Sequence, residues 1–279
     1  MDFIQISKTL FSSLQEKLNL HRRQKGLFGL NNASDKEVKA THLIDEVAFE
    51  VIKEELLDLP INIFMEGFPA IMAEGAKYNF YIDPVDGSRN WDRGVGDPSL
   101  CLAISEAKEN LKFSNLFFAF IGGYHSQDQY FVKEGKAIFD SFLLQKEVEI
   151  NTQNSAMRLS DAHAYLKPGY SATKEHFDYC WPIYPLVKDI RAIDNSGMDL
   201  CEIARGAADF SIEARKLSDF YNLLAFPILK AAGGVLTDLA GRDLTNCAID
   251  LEGQYDFIAA GNNTLVNEIL KNRGESVMD

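Results

Sequence analysis

The sequence predicts a mixed α/β protein of α+β character: helices first, then an antiparallel sheet, then a half in which strands and helices alternate. Three observations carry this. Apolar residues recur at helical spacing up to residue 57, short β-branched and aromatic runs follow as far as residue 139, and beyond that the two patterns take turns.

In order, Ile4, Leu10, Phe11, Leu14 and Leu18 form one stripe, which predicts an amphipathic helix over residues 4–20. Residues 26–35 read as a loop. Over residues 38–57, Leu43, Val47, Val51 and Ile52 oppose Asp45, Glu46, Glu50, Lys53 and Glu54, the pattern of a second surface helix. Strands are expected at 61–65, 79–82, 100–104 and 117–121, with Phe113, Phe117, Phe118 and Phe120 forming a core strand. Segments 130–132 and 137–139, joined through Gly135, read as a hairpin. The second half predicts strands at 183–187, 209–213, 235–238 and 257–260, and helices at 197–205 and 220–232, the latter stopped by Gly233 and Gly234. Trp181-Pro182 reads as the end of a strand. A boundary near residue 150 divides a lobe of residues 1–150, which carries the motif described below, from an α/β lobe of residues 151–279. The two form one compact domain.

With 279 residues, 46% of them hydrophobic, the chain can bury a large core. Its 41 acidic and 28 basic residues give a formal charge of -13, which disfavours nucleic acid and anionic membranes, and no contiguous basic patch offsets it. Cys101, Cys180, Cys201 and Cys247 are widely spaced and form no CxxC pair, so reduced thiols are expected. No stretch is long enough to cross a bilayer, and the N-terminal residues lack a basic start followed by an apolar core. A cytoplasmic location is the expectation. His125, His163 and His176 lie in polar, loop-like contexts without ligand spacing and receive no role.

The chemistry concentrates in Asp83-Pro84-Val85-Asp86-Gly87-Ser88, which ends the apolar run Phe80-Tyr81-Ile82. Two carboxylates three residues apart across a Pro turn can converge on a hard cation, with the Val85 carbonyl between them as a further oxygen donor. Gly87 lets backbone approach an anion, and Ser88 adds a hydroxyl and, at a helix start, an N–H. All six residue types also suit an ordinary turn, and residue types alone leave both readings open.

This string, with Asn90-Trp91 after it, resembles the Asp-Pro-Ile-Asp-Gly-Thr-x-Asn-Phe motif of the inositol monophosphatase superfamily, which includes archaeal-type fructose-1,6-bisphosphatases. Glu66, seventeen residues upstream, stands where that family has the second acid of its Gly-Glu-Glu strand end. Ser196-Gly197 and the helix after it, Ala232-Gly233-Gly234 with the segment to Gly241, and the closing Ile258-Ala259-Ala260-Gly261-Asn262 are similar to further family segments. The resemblance spans nearly the whole chain. It implies a five-layer αβαβα sandwich and Mg2+-dependent hydrolysis of a phosphomonoester by activated water. It further implies that Glu66, Asp83 and the Val85 carbonyl hold one cation, that Asp86 joins Asp83 at a second, and that Gly87 and Ser88 cradle the phosphoryl group. The family would also suggest a homodimer.

Three positions depart from the family. Its Trp-Asp, a ligand of the second metal, aligns with Phe220-Tyr221; a neutral phenol cannot replace a carboxylate, and Asp219 is the candidate substitute, with a helix N-cap as its competing role. The Asp of its Thr-x-x-Asp falls on His42, in preference to Asp45, so that His42 is either a base beside Ser88 or a solvated helix residue. Met65 replaces the first acid of the doublet. Ser196, Glu213 and Arg215 are the candidate substrate contacts, Glu213 to a sugar hydroxyl and Arg215 to a second phosphate. Two functions follow from this pattern: a phosphatase acting on a small sugar, inositol or nucleotide phosphate, or a relative that binds phosphorylated ligand without efficient turnover.

Overall fold

The computed structural model describes residues 1–25, 40–167, 174–216 and 219–273, without the side chains of residues 25 and 40–43. The loop expected at 26–35 lies outside them, as does the side chain of His42.

Two long helices lead, α1 (Phe3–Lys25) and α2 (Ala40–Leu56). The first sheet follows in chain order: β1 (Ile61–Met65), β2 (Tyr78–Asp86), β3 (Ser99–Glu106), β4 (Phe118–Gly123), β5 (Gln129–Lys133), β6 (Lys136–Ser141) and β7 (Lys146–Glu149). Only β1 and β2 run parallel; every later pair is antiparallel, as short connections require. The six-residue helix α3 (Ser88–Arg93) leaves the end of β2.

The second sheet has the order β11-β12-β10-β8-β9. Its strands are β8 (His163–Leu166), β9 (Asp189–Arg191), β10 (Phe210–Glu213), β11 (Val235–Thr237) and β12 (Phe257–Ala260). Around them lie α4 (Lys174–Cys180), α5 (Ser196–Ala204), α6 (Phe226–Ala231) and α7 (Asn263–Asn272).

Strand alternation sorts these elements into layers. On β4, Phe120 meets Phe11 of α1, whereas Ile121 points to Gly197 of α5. On β12, Phe257 and Ala259 join the core shared with α5 and α6, while Ile258 and Ala260 join Leu265, Val266 and Ile269 of α7. The order is therefore α1 and α2, first sheet, α5 and α6, second sheet, α4 and α7: the five-layer αβαβα arrangement.

Several local expectations are corrected. Segment 183–187 is no strand but a 3-10 turn at Tyr184–Leu186, because Pro182 and Pro185 remove ladder donors. Trp181 follows α4 and is exposed rather than ending a strand. The helix expected over 220–232 breaks into a 3-10 turn, Phe220–Leu223, and α6, because Pro227 has no N–H to continue it. Phe113 sits in the 3-10 turn Phe113–Asn115, and Phe117 is exposed and precedes β4, so only Phe118 and Phe120 belong to that strand. His176 is fully buried in α4, not in a polar loop. The four cysteines are free, and only Cys247 is exposed. No described helix is long and apolar enough to cross a membrane.

Candidate active site

The parallel pairing of β1 with β2 has a constant offset of seventeen residues, from Ile61 opposite Tyr78 to Met65 opposite Ile82. Glu66 is the next residue along, and its N–H donates to the Ile82 carbonyl at 3.0 Å. Register thus carries Glu66 beside Asp83, although the two are far apart in sequence. Met65, pointing the other way, is buried in apolar core.

Pro84 cannot donate to β3, and the β2–β3 register shifts between Asp83 and Asp86. This irregularity turns both acids toward one side of the strand end. Asp83 Oδ1 accepts the Val85 N–H at 2.9 Å, and the Tyr124 hydroxyl donates to the Pro84 carbonyl at 2.6 Å. Asp86 Oδ2 accepts the Gly197 N–H at 2.6 Å, which ties β2 to the first turn of α5. A Cβ at Gly197 would collide with Cys101 Sγ, so this approach requires glycine. Gly87, at φ 82°, turns the chain into α3, and a Cβ there would also crowd the Asp194 carbonyl.

These elements enclose a cleft of about 270 Å³. Glu66, Asp83, Asp86 and Asp219 bring four carboxylates to its lining, beside Val85, Gly87, Ser88 and Ser196. Arg89, Asp194, Arg215 and Asn222 complete the lining. Asp219 does two things at once: its Oδ1 caps the turn at Phe220–Leu223 by accepting the Tyr221 N–H at 2.9 Å, and it lines the cleft. The aligned Tyr221 is buried beside Glu66 and Asp83; burial first, then the charges of Asp219 and Glu66, keep its phenol protonated. His42 falls in the first turn of α2. Its side chain is not described, but Asp45, one turn further on, lies near enough to add its charge to Glu66.

The acids are poorly compensated. Burial, then Asp219, pushes the Glu66 carboxyl up to about 8, with Asp86 and Asp45 adding to the effect against a hydrogen bond to Asp83. Burial and the neighbouring charges of Glu66 and Asp86 hold Asp83 well above the usual carboxylate range. Burial raises Asp86 to about 6, opposed by the Gly197 N–H and Lys167. Burial also raises Asp219, opposed by backbone N–H groups. Adjacent carboxylates in a dry site either take up protons or a cation. Among the described residues no three His, Cys, Asp or Glu side chains are already gathered as a closed metal cage. The donor set still suits a hard divalent cation: all are oxygens, and they line one cleft.

Behind the cleft lies a second set of charges, this one paired. Lys167 Nζ donates to Ser196 Oγ at 3.0 Å and lies 3.2 Å from Asp199 and 3.8 Å from Asp194. Arg215 Nη2 reaches Asp194 Oδ1 at 3.0 Å. Its guanidinium also clamps fully buried Glu213, with Nε at 2.8 and 3.0 Å and Nη2 at 2.5 Å. Glu213 is therefore occupied and does not line the cleft, which corrects its expected contact with a sugar hydroxyl; Arg215 does line it. Lys167, Asp199 and Asn222 escaped the sequence reading. Lys167 ends the short apolar run of β8, and its place at a strand end was the one available signal.

The chain is thus a five-layer α/β protein with an acidic cleft at the end of the parallel pair β1 and β2, lined also by Gly87, Ser88 and Ser196. The model of the inositol monophosphatase family matches residues 3–276, and the chain belongs to that family of phosphatases. Among curated relatives, fructose-1,6-bisphosphatase/inositol-1-monophosphatase of Thermococcus kodakarensis is 24% identical over 245 residues, covering 87% of this chain and 86% of that protein. Fructose-1,6-bisphosphatase of Pyrococcus furiosus is 27% identical over 232 residues, covering 82% of each. Among solved structures, a hypothetical protein of Pyrococcus horikoshii with similarities to inositol-1 monophosphatase superposes with a TM-score of 0.75 at 22% identity. That match covers 97% of both chains and bears on the fold alone.

Proposed function

We propose that this protein is a Mg2+-dependent phosphomonoesterase acting on a small sugar or inositol phosphate. The carrying observation is the cleft itself, where four carboxylates, from Glu66, Asp83, Asp86 and Asp219, share one lining with Gly87 and Ser88. Glu66, Asp83 and the Val85 carbonyl would hold one cation, and Asp86, Asp83 and Asp219 a second. When bound, two such cations neutralise developing charge on the phosphoryl oxygens and lower the pKa of water. The chain's own part is positional. Asp86, whose Oδ2 accepts the Gly197 N–H, and Asp83, whose Oδ1 accepts the Val85 N–H, are held in the cleft lining. The Ser88 hydroxyl and the Gly87–Ser88 backbone face the phosphoryl group, and Ser196, steadied by Lys167, borders the rest of the substrate.

Divalent-cation-dependent release of inorganic phosphate from a panel of inositol, fructose and nucleotide phosphates tests this reading, with Asp83→Asn and Asp219→Asn measured alongside. Release by the wild type that disappears in Asp83→Asn is the expected result. One observation favours a second reading, a ligand-binding relative with little turnover: Tyr221, buried and protonated beside Glu66, stands at the position the family gives to an acid. Absence of release from every substrate, with metal present, would establish that second reading instead.

A further inference from the structure

Among the described residues Lys167 is the only buried lysine, 3% exposed, where a lysine seldom sits without a partner. It follows the short apolar strand β8. An ammonium has three N–H donors and no acceptor. Here Nζ donates to Ser196 Oγ at 3.0 Å and lies 3.2 Å from Asp199 Oδ2 and 3.8 Å from Asp194 Oδ1. The two carboxylates balance its charge. The contact with Ser196 does something else.

Counting protons shows what. A hydroxyl carries one proton and two lone pairs, and its proton ordinarily turns to suit whatever partner is present. With Lys167 donating, Ser196 Oγ is an acceptor on that side, so its own proton needs an acceptor elsewhere. Asp199 Oδ2 lies in the ion pair yet accepts no hydrogen bond, and among the described residues no group accepts one from this hydroxyl. Ser196 is itself buried, and the space it borders is the acidic cleft. The backbone that carries it is anchored from the other side, where the Gly197 N–H donates to Asp86 at 2.6 Å. A buried donor without an acceptor is costly, and a ligand oxygen entering the cleft removes that cost.

We infer that Lys167 is a positioning residue: by donating to Ser196 it turns the serine hydroxyl into a fixed donor toward the cleft, where it takes a ligand oxygen that carries no proton. The inference rests on the phosphatase reading above and adds to it a group that does not line the cleft. Lys167 acts through Ser196 rather than on the ligand. Its charge also favours the ionised form of Asp86, an effect that saturating Mg2+ should mask.

The test is a double-mutant cycle on the full chain at saturating Mg2+. It is run in an Asp199→Asn background, so that removing Lys167 leaves no fully buried carboxylate unpaired; Asp194 keeps Arg215 at 3.0 Å. KM and kcat for myo-inositol 1-phosphate and for fructose 1,6-bisphosphate are read, with thermal melts of each variant. Ser196→Ala should raise KM about tenfold, the worth of one hydrogen bond to the ligand, with kcat changed less. Lys167→Met should raise KM about threefold, because the hydroxyl then samples three staggered orientations instead of one, and Lys167→Arg should recover part of that. Added to Ser196→Ala, Lys167→Met should change nothing further. If neither compound is hydrolysed, dissociation constants from calorimetry replace KM, and the same non-additive pattern keeps the role of Lys167 while the phosphatase reading falls. Additive effects, or a KM that falls in Lys167→Met because lysine and ligand had competed for the serine lone pairs, overturn the inference. An unchanged KM in Ser196→Ala overturns it by itself, whatever becomes of Lys167→Met, as does absence of both turnover and binding in the unaltered chain.

Discussion

Two charged clusters sit side by side in this molecule, and they are built on opposite plans. In the inner one, Lys167, Arg215, Glu213, Asp194 and Asp199 pair with one another: burial would raise Glu213, but the Arg215 guanidinium holds it below the usual carboxylate range. In the cleft, Glu66, Asp83, Asp86 and Asp219 are buried or half-buried together; burial raises them all, and the charges of neighbouring acids add to it at Glu66, Asp83 and Asp86. Glu213 and the cleft acids therefore respond oppositely to burial, because a guanidinium clamps Glu213, whereas Asp199 is still raised to about 7 by burial despite Lys167 at 3.2 Å. The paired cluster braces the fold, whereas the unpaired one is unstable until something positive enters. That is the electrostatic mark of a site rather than a strut.

The largest expected effect lies in the unpaired cluster. Asp83→Asn should lower phosphate release more than about 100-fold if, as proposed, it removes a direct cation ligand rather than a supporting group. The amide oxygen can still accept the Val85 N–H, and a repelling charge is gone, so the metal-free variant should melt no lower than the wild type. A loss of activity accompanied by a lower melting temperature would mean that Asp83 is structural and would collapse the contrast between the clusters.

The paired cluster should respond in the opposite way. Arg215→Met leaves the fully buried Glu213 without its partner and should cost about 3–5 kcal/mol in denaturant unfolding. If the unfolding midpoint hardly moves, Glu213 is not held as described.

Asp219 separates its two roles under a milder change. Asparagine caps a helical turn about as well as aspartate, so Asp219→Asn should keep the melting temperature while weakening Mg2+ binding by about tenfold, read by calorimetry. Unchanged affinity would reduce Asp219 to a cap.

The smallest effect is one of pH. Because the folded-state values of Asp86, about 6, and Glu66, about 8, lie above those of an unfolded carboxyl, their protonation stabilises the fold. In the metal-free protein that contribution is full below about pH 4 and is lost as pH rises through 6 and then 8. Thermal melts in chelator should show this decline, and saturating Mg2+ should flatten or reverse it; a metal-free curve rising over the same window would contradict the repulsion inferred in the cleft.

How much was legible depended on whether a signal was local. The motif Asp83–Ser88 announces itself because a turn, a strand end and two acids occupy consecutive residues, and the helical stripes of α1 and α2 need only a period. The strand expected at 183–187 failed for a local reason read too lightly, the two prolines bracketing Tyr184. Strands β8 and β9, of four and three residues, carry too few positions for alternation to stand out; they form through pairing with β10 and with each other. The sequence offers Glu213 as a contact to a sugar hydroxyl because neither its burial nor the guanidinium folded back onto it leaves a trace in spacing.

The sequence alone determined the helices-then-strands order of the first half and the acids at the end of β2, because hydrophobic period and turn chemistry act within a few residues, while the layer order came only through the family resemblance. The tertiary structure decided which charges meet. The parallel register of β1 brings Glu66 to Asp83, the capped turn brings Asp219 to both, and β8 carries Lys167 to Ser196. Coulomb energies depend on distance and burial, and neither exists until the sheets have paired.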